Sequence, residues 1–390
     1  MSAKPLNISI LGGGPSGLYL ALLLKRRQPT LQVTVYEQNR AEDTFGVVLA
    51  DTGLNKLEEA DAESAAAMRG AMHFSHQQTI RLNDQSMDIK RPGAGGGAIT
   101  RIELLKLLQD RCFTAGVDLR FSTRVDPADP AMATALADAD LVVGADGVNS
   151  LLRTRMEKEF GTTQRHLKNR FAWYGTHKLF ANPALVFRQH AGGHFVAHYY
   201  RYNEAMSTFV AECDEATWFH CGLDKITDDA RKALAEQIFA PELGGELLIA
   251  SNSTWRQFPV IRNQRWSHGK YVLMGDALAS AHFSIGSGTR IAMEDAIALA
   301  DAVLKHPDSV AAITVAYEQA RRPGKDRLID ASENSFNWYE DIAQKMACGN
   351  VYAFVHDFMT RTGRIDAERL AQQFPELVAA MQQQKIKAPA

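Results

Sequence analysis

Cysteine is scarce in this chain: only Cys112, Cys213, Cys221 and Cys348 occur in 390 residues, widely spaced and without a CxxC pair. That spacing argues against both a zinc site and a disulfide framework, and points to a reducing compartment and no metal. Long apolar runs are missing too, since no stretch reaches the roughly 18 uninterrupted apolar residues expected of a membrane span. Charge of one sign is also lacking, with a net charge of -2. Neither nucleic acid nor an anionic membrane is therefore expected as a partner, and a small molecule is. The opening "MSAKPLNISILGGGPSGLYLALLLKRR" has an apolar stretch broken by glycines and no cleavage-site pattern, so a soluble, cytoplasmic protein is expected. Whether it is a monomer or a homodimer is left open by these features.

What is present is α/β patterning. "LNISIL" reads as a strand, "GGGPSG" as a break, "LYLALLLKRR" as a helix and "LQVTVYE" as a second strand, a βαβ unit. Residues 41–100 read as irregular and glycine-rich, "RIELLKLLQDRCFTAG" as a helix closed by Gly116, and "DADLVVGADG" as a buried strand followed by a turn. Between about 165 and 260 the pattern changes to period-two segments such as "FAWYGT" and "HFVAHYYRY", the mark of a mostly antiparallel sheet. Strand, loop and helix return at 271–303, and "DSVAAITVAYEQARR" is a helix that Pro323 is expected to end. The expected fold is a Rossmann-like α/β unit made of 1–75, 98–165 and 258–330. A substrate sheet made of 76–97 and 166–257 is inserted into it, and helices fill 331–390.

Gly12, Gly14 and Gly17 form GxGxxG between the first strand and helix, with Pro15 and Ser16 inside the loop. There the backbone turns sharply and a pyrophosphate can approach the amides at the positive end of the helix. Glu37, 20 residues past Gly17, supplies a carboxylate for ribose hydroxyls and favours an unphosphorylated ribose, which fits FAD and NAD equally. Arg101 opens a helix and offers a fork of donors to phosphates. "GADGVNSLLR" sets Asp146 and Gly147 after a strand, followed by Ser150 and Arg153. In "GDALASAHFSIGSGTRIAMEDA", Asp276 suits the ribityl hydroxyls of a flavin. Gly286, Ser287 and Gly288 bring backbone towards its ring, and the helix from Thr289 points its N-terminus at the edge where negative charge gathers on reduction.

GxGxxG with Glu37, "ADG" at 145–147 and "GDA" at 275–277 resemble, in order and spacing, the class A flavoprotein aromatic monooxygenases typified by p-hydroxybenzoate hydroxylase. "FGVVLADTGLNKLEEAD", "FAWYGTHKLF" and "SIGSGTRIAMEDA" are more particularly similar to the hydroxylases of aryl-CoA thioesters, and also to a violacein-pathway hydroxylase of an indole-derived substrate. The resemblance implies FAD held noncovalently, NADH or NADPH as co-substrate, O2 as oxidant, and hydroxylation of an electron-rich ring through a flavin C4a-hydroperoxide. It also assigns Val125 to the adenine-contacting backbone, and Gly46, Val47 and Val48 to the loop covering the flavin.

Relatives carry a proline pair where this chain has His282 and Phe283, and a histidine where it has Ala279. His282 is therefore expected to orient or deprotonate the ring substituent or to donate to the peroxide, with Phe283 as a pocket wall. Trp173, Tyr174, His198, Tyr200 and Tyr202 are the sheet aromatics expected near the substrate. Lys168, Arg170, Lys178, Arg188 and Arg201 are candidates for the phosphates of CoA. The competing expectations are a hydroxylase of a free or indole-type aromatic and a non-catalytic flavin-binding protein. A halogenase is disfavoured, because no WxWxI segment is present.

Overall fold

The computed structural model describes residues 5–38, 46–90, 95–125, 133, 136–250 and 253–383, with the side chains of 46–53 outside the description. A six-stranded sheet runs in the order Ser267–His268, Tyr271–Leu273, Leu141–Gly144, Asn7–Leu11, Gln32–Tyr36, Asp118–Arg120. Its pairings are parallel apart from the Ser267–His268 hairpin. Leu141–Gly144 is buried throughout, as expected where helices cover both faces of a parallel sheet. The Pro15–Arg27 helix follows the first strand. Proline at its start needs no N–H partner, and Lys25, Arg26 and Arg27 close it at the negative end of the dipole. Against it packs the Gly288–Lys305 helix.

The second sheet has eight strands, and its long member Thr162–Thr176 pairs with Ser207–Cys213, Leu248–Ile249 and Arg256–Asn263. One face carries Ala172, Tyr174 and Phe209 packed with Trp218 and Ile238 of the covering helices. The C-terminal helices close part of the sheet, where Phe354 and Phe358 meet Phe187. A third, three-stranded sheet joins Gly46–Ala50, Gly96–Thr100 and His73–Ser75. The described residues of 41–100 are thus more regular than their glycine content suggests. They also hold the helices Asp51–Ala60 and Ala62–Ala71, the second capped by Asp61 accepting from the Ser64 N–H. Gln77–Leu82 forms a hairpin with Gln85–Lys90 and joins the larger sheet by pairing with Ala184–His190, about a hundred residues away.

Pro323 does not end its helix, which runs unbroken over Val310–Glu340 and so crosses 330, where a boundary was expected. The proline removes one backbone donor at a cost of about 3 kcal/mol. The buried ion pairs of Arg321 and Lys325 with Asp295 hold the helix on both sides of it.

Glu212 lies in the fully buried Ser207–Cys213 strand and accepts from Asn169 Nδ2 at 2.9 Å. Burial, helped by the charge of Glu340 and opposed by Asn169, pushes its carboxyl from an ordinary 4.5 up to about 7. Between those values the folded protein keeps a proton that the unfolded chain has lost, so stability falls as pH rises through the window. Glu212→Gln is expected to unfold in urea like the parent at pH 5. At pH 8 it should be more stable by up to about 3 kcal/mol. Equal shifts at both pH values would rule out an ionising Glu212 as the cause.

Candidate active site

The loop after Asn7–Leu11 is built on close approach. Gly12 has φ +108°, and a Cβ there would lie 2.4 Å from the Ala145 carbonyl oxygen. A Cβ at Gly17 would lie 2.1 Å from the Gly12 carbonyl oxygen. Glu37, at the end of the neighbouring strand, accepts from the Gly13 N–H at 2.8 Å, which ties the carboxylate to the loop. Gly12, Gly14, Glu37, Arg101, Val125 and Asp146 together line one cavity of about 340 Å³. Asp146 Oδ2 accepts from the Leu151 N–H at 2.8 Å, while its buried Oδ1 has no partner among the described residues. Ser150 caps the next short helix by accepting from the Arg153 N–H. Arg153 donates to the carbonyls of Val148 at 2.6 Å and Ala277 at 3.2 Å, so it clamps the ADG turn to the GDA turn.

A second cavity of about 410 Å³ shares Gly14, Arg101, Ala145 and Gly147 with the first. One wall is formed by Pro15, Ser16, Asp276, Gly286, Ser287 and Gly288. The other holds Trp173, His198, Tyr200, Arg256 and Phe283. Asp276 is exposed to this space yet enclosed by protein. Desolvation raises its carboxyl above the usual range, against the pull of Lys325 and Arg101. Arg101 stands at the junction, its guanidinium pushed down by burial and held up by Asp276 and Glu37. Beneath Gly275 lies a buried ionic knot: Asp295 accepts from the Gly275 N–H at 3.0 Å, from Arg321 Nε at 2.7 Å and from Lys325 Nζ.

Several sequence expectations change at the second cavity. Tyr174 faces away from it, because successive strand residues point to opposite faces. Its hydroxyl instead accepts from Trp255 Nε1 at 2.9 Å. Trp173 and His198 both stand beside Val210 in register and share the cavity face. The Trp173 Nε1–H is buried and has no partner among the described residues. Tyr202 is buried in a small cluster with Tyr200 and Ala98 and is not part of the lining.

His282, expected at the reacting face, is buried and lies outside the lining. Its Nδ1 accepts from the Ser284 N–H at 3.3 Å, its backbone N–H donates to Ser332 Oγ at 2.8 Å, and Phe258 and Phe283 pack on the ring at 4.7 and 4.1 Å. Burial, with the charge of Arg361 adding to it, pushes the imidazole down to about 3, so it is neutral at working pH. Phe283 is the member of the pair that meets the cavity. Gly46, Val47 and Val48 lie on the Gly46–Ala50 strand, with side chains outside the described set.

The basic residues suggested for CoA phosphates also lie elsewhere. Arg188 forms a double ion pair with Glu242, Arg170 stacks on Trp218, and Arg201 pairs with Glu204. Neither Lys168 nor Lys178 lines either cavity. Arg256 was not anticipated. It stacks over Phe171 at 5.4 Å and has no carboxylate within ion-pair distance among the described residues. The available signal was a lone arginine between aromatics in "TWRQF", which pattern alone does not tell from a solvated charge. Among the described residues no group of three His, Cys, Asp or Glu is placed to hold a metal, and no helix is long and apolar enough to cross a membrane.

Residues 6–332 match the FAD binding domain family. Salicyloyl-CoA 5-hydroxylase of a Streptomyces species is 36% identical over 369 residues, covering 92% of this chain and 70% of that protein. The 3-hydroxy-4-methyl-anthranilyl-[aryl-carrier protein] 5-monooxygenase of Streptosporangium sibiricum is 32% identical, covering 94% of this chain and 97% of that one. The chain belongs to the FAD-dependent aromatic hydroxylases. Protodeoxyviolaceinate monooxygenase of Chromobacterium violaceum is likewise 32% identical to this flavin hydroxylase, over 91% of the chain and 94% of the relative. Solved structures carry the same fold. The tetrameric form of 2-methyl-3-hydroxypyridine-5-carboxylic acid oxygenase superposes with a TM-score of 0.69 at 19% identity, covering 94% of this chain and 96% of that one. PqsL of Pseudomonas aeruginosa in complex with 2-aminobenzoylacetate superposes with 0.67 at 20% identity, covering 88% and 98%.

FAD fits what the residues offer: a turn with no room for side chains at Gly12 and Gly17, a partnerless buried oxygen on Asp146, and Arg101 at the junction of two joined cavities.

Proposed function

We propose that this flavin hydroxylase acts on the ring of an aryl thioester, most simply an aryl-CoA, with NADH or NADPH as reductant and O2 as oxidant. The observation that carries the reading is the wall facing Gly286–Gly288, where Trp173 and Phe283 stand 5.9 Å apart edge to face beside a partnerless indole N–H and the exposed Arg256. An aromatic ring with an acyl oxygen is matched by such a wall, the rings receiving its faces and the N–H and guanidinium its oxygen. Two of the relatives above are named for aryl groups carried on CoA or a carrier protein.

In this reading the amides of Gly12–Gly17 face the pyrophosphate, Glu37 accepts from the adenosine ribose, and Val125 flanks the adenine. Arg101 neutralises phosphate, Asp146 accepts from the cofactor through Oδ1, and Asp276 accepts from the ribityl chain. The N-terminus of the Gly288–Lys305 helix, entered through Ser287, stabilises negative charge at the flavin edge. Bound FAD supplies the redox chemistry with O2. His198 and Tyr200 address the ring substituent. Burial pushes the Tyr200 hydroxyl up, which keeps it a donor at neutral pH. His282 shapes the turn that presents Phe283 and takes no proton.

The test is NADH and NADPH oxidation, with product analysis, in the presence of salicylyl-CoA, anthraniloyl-CoA, hydroxybenzoyl-CoA, the free acids and tryptophan-type substrates. Aryl-CoA is expected to stimulate oxidation and yield a hydroxylated ring. Arg256→Met is expected to raise the substrate KM about 10- to 100-fold with the flavin spectrum unchanged, as for loss of a charged hydrogen bond. Turnover with free acids or indole-type compounds alone would refute the thioester reading, and stimulation by none would leave a flavin-binding protein.

A further inference from the structure

On another face of the Gly288–Lys305 helix lies a groove of about 600 Å³, closed by the Val310–Glu340 helix and the segment 362–369. Its lining holds Lys56, Arg290, Arg321, Arg327, Arg364 and Arg369 against only Glu294 and Asp330. A further space of about 700 Å³ continues it along Lys56, Glu294, Arg321 and Arg327. The acids do not balance the arginines. Glu294 already meets Arg290, Arg321 at 3.1 Å and Lys56 at 3.7 Å, and Arg321 is also bound to Asp295. Among the described residues no carboxylate lies within ion-pair distance of the Arg327, Arg364 or Arg369 side chains; Arg369 Nη1 donates only to the Arg364 carbonyl, at 3.1 Å. Burial and the charges of Arg290 and Arg369 push the Arg364 guanidinium down, against the pull of Glu294, which is already shared among Arg290, Arg321 and Lys56.

We infer that this groove binds a phosphorylated adenosine diphosphate, the end shared by CoA and NADPH, with Arg327, Arg364 and Arg369 taking its phosphates. Arginine forks match phosphate oxygens in pairs, and three such groups suit a ligand bearing three phosphates. The groove and the ring cavity are lined by consecutive residues at the start of one helix. Thr289 lines the cavity and Arg290 lines the groove, so the two spaces leave the same helical turn on adjoining faces. The CoA form of the inference requires the arm of a ring-bound thioester to cross from Thr289 to Arg290 along that turn. The CoA form of the inference rests on the aryl-thioester reading; the groove itself does not.

The test is calorimetric titration of the FAD-loaded protein with adenosine 3′,5′-bisphosphate and adenosine 2′,5′-bisphosphate, using adenosine as control. Binding of a bisphosphate without binding of adenosine is expected, weakened at least about tenfold in Arg364→Gln/Arg369→Gln and again in Arg327→Gln as a separate variant. Tighter binding of the 3′ isomer, with a raised KM for aryl-CoA and an unchanged KM for aryl-pantetheine, assigns the groove to the substrate. Tighter binding of the 2′ isomer, with a raised KM for NADPH but not NADH, assigns it to the reductant. If neither bisphosphate binds, or both bind the variants as tightly as the parent, the inference is overturned even when aryl-CoA is hydroxylated. If aryl-CoA is not a substrate, the titration still decides the groove.

Discussion

Asp295→Ala is expected to cost the folded enzyme about 3–5 kcal/mol, the range for removing one partner of a buried ion pair. The side chain is fully buried and answers three donors at once, Arg321, Lys325 and the Gly275 N–H. Its removal leaves the Lys325 ammonium, which is 1% exposed, with the Gly275 carbonyl at 3.4 Å, the Trp266 ring at 5.9 Å and the more distant charge of Asp276. Arg321 suffers less, since Glu294 stands 3.1 Å away. Adding Lys325→Met should therefore recover a large part of the loss, because the uncompensated ammonium leaves with it. Urea unfolding of the two variants measures both terms. A single-variant loss under about 1 kcal/mol, or a double variant no better than the single, would show that the knot is not what holds the turn. Asp276 follows Gly275 directly, so the same variant should also release the carboxylate that faces the second cavity.

Gly12→Ala is expected to raise the FAD dissociation constant at least about 100-fold, equivalent to roughly 2.7 kcal/mol. Two penalties coincide there. An L-residue is forced to φ +108°, and the new methyl would sit 2.4 Å from a backbone oxygen that cannot swing aside as a side chain would. Relief requires the glycine loop and the ADG turn to separate, and both turns line the first cavity. Gly147→Ala separates the two penalties, since φ is +75° but nothing lies within 4 Å of the added methyl. That variant should lose about 1–2 kcal/mol of backbone preference and bind FAD more tightly than Gly12→Ala. Flavin fluorescence titration compares the two. Equal FAD affinities in both variants would rule out the close approach as the reason for glycine at position 12.

The cofactor grip was legible in the chain because its requirements are local. A turn that must bring backbone against backbone accepts only glycine, and a carboxylate at the end of the next strand follows at the spacing of a βαβ unit. Gly12, Gly14, Glu37, Arg101 and Asp146 line one cavity, together with Val125, which only the family resemblance pointed to, and Asp276 lines the adjoining one with Gly286–Gly288. The α/β class and the change to period-two strands near 165 follow from the same short-range periodicity.

The reacting face was decided by tertiary structure. Trp173 and Tyr174 are chemically alike neighbours, and only the pairing of their strand determines which of them meets the cavity and which meets Trp255. His282 and Phe283 are separated in the same way: the turn, held by the His282 backbone N–H on Ser332 Oγ, buries the imidazole against Phe258 and Phe336 and leaves the phenyl ring on the cavity wall. Pro323 remains helical because Asp295, 28 positions earlier, binds the residues on either side of it. Arg256 and the arginines of the groove are isolated charges along the chain and converge only when distant elements pack together. By itself, then, the sequence determined where the backbone must approach a dinucleotide, since that demand falls on consecutive residues. The direction in which each side chain faces waited on contacts between residues tens to hundreds of positions apart.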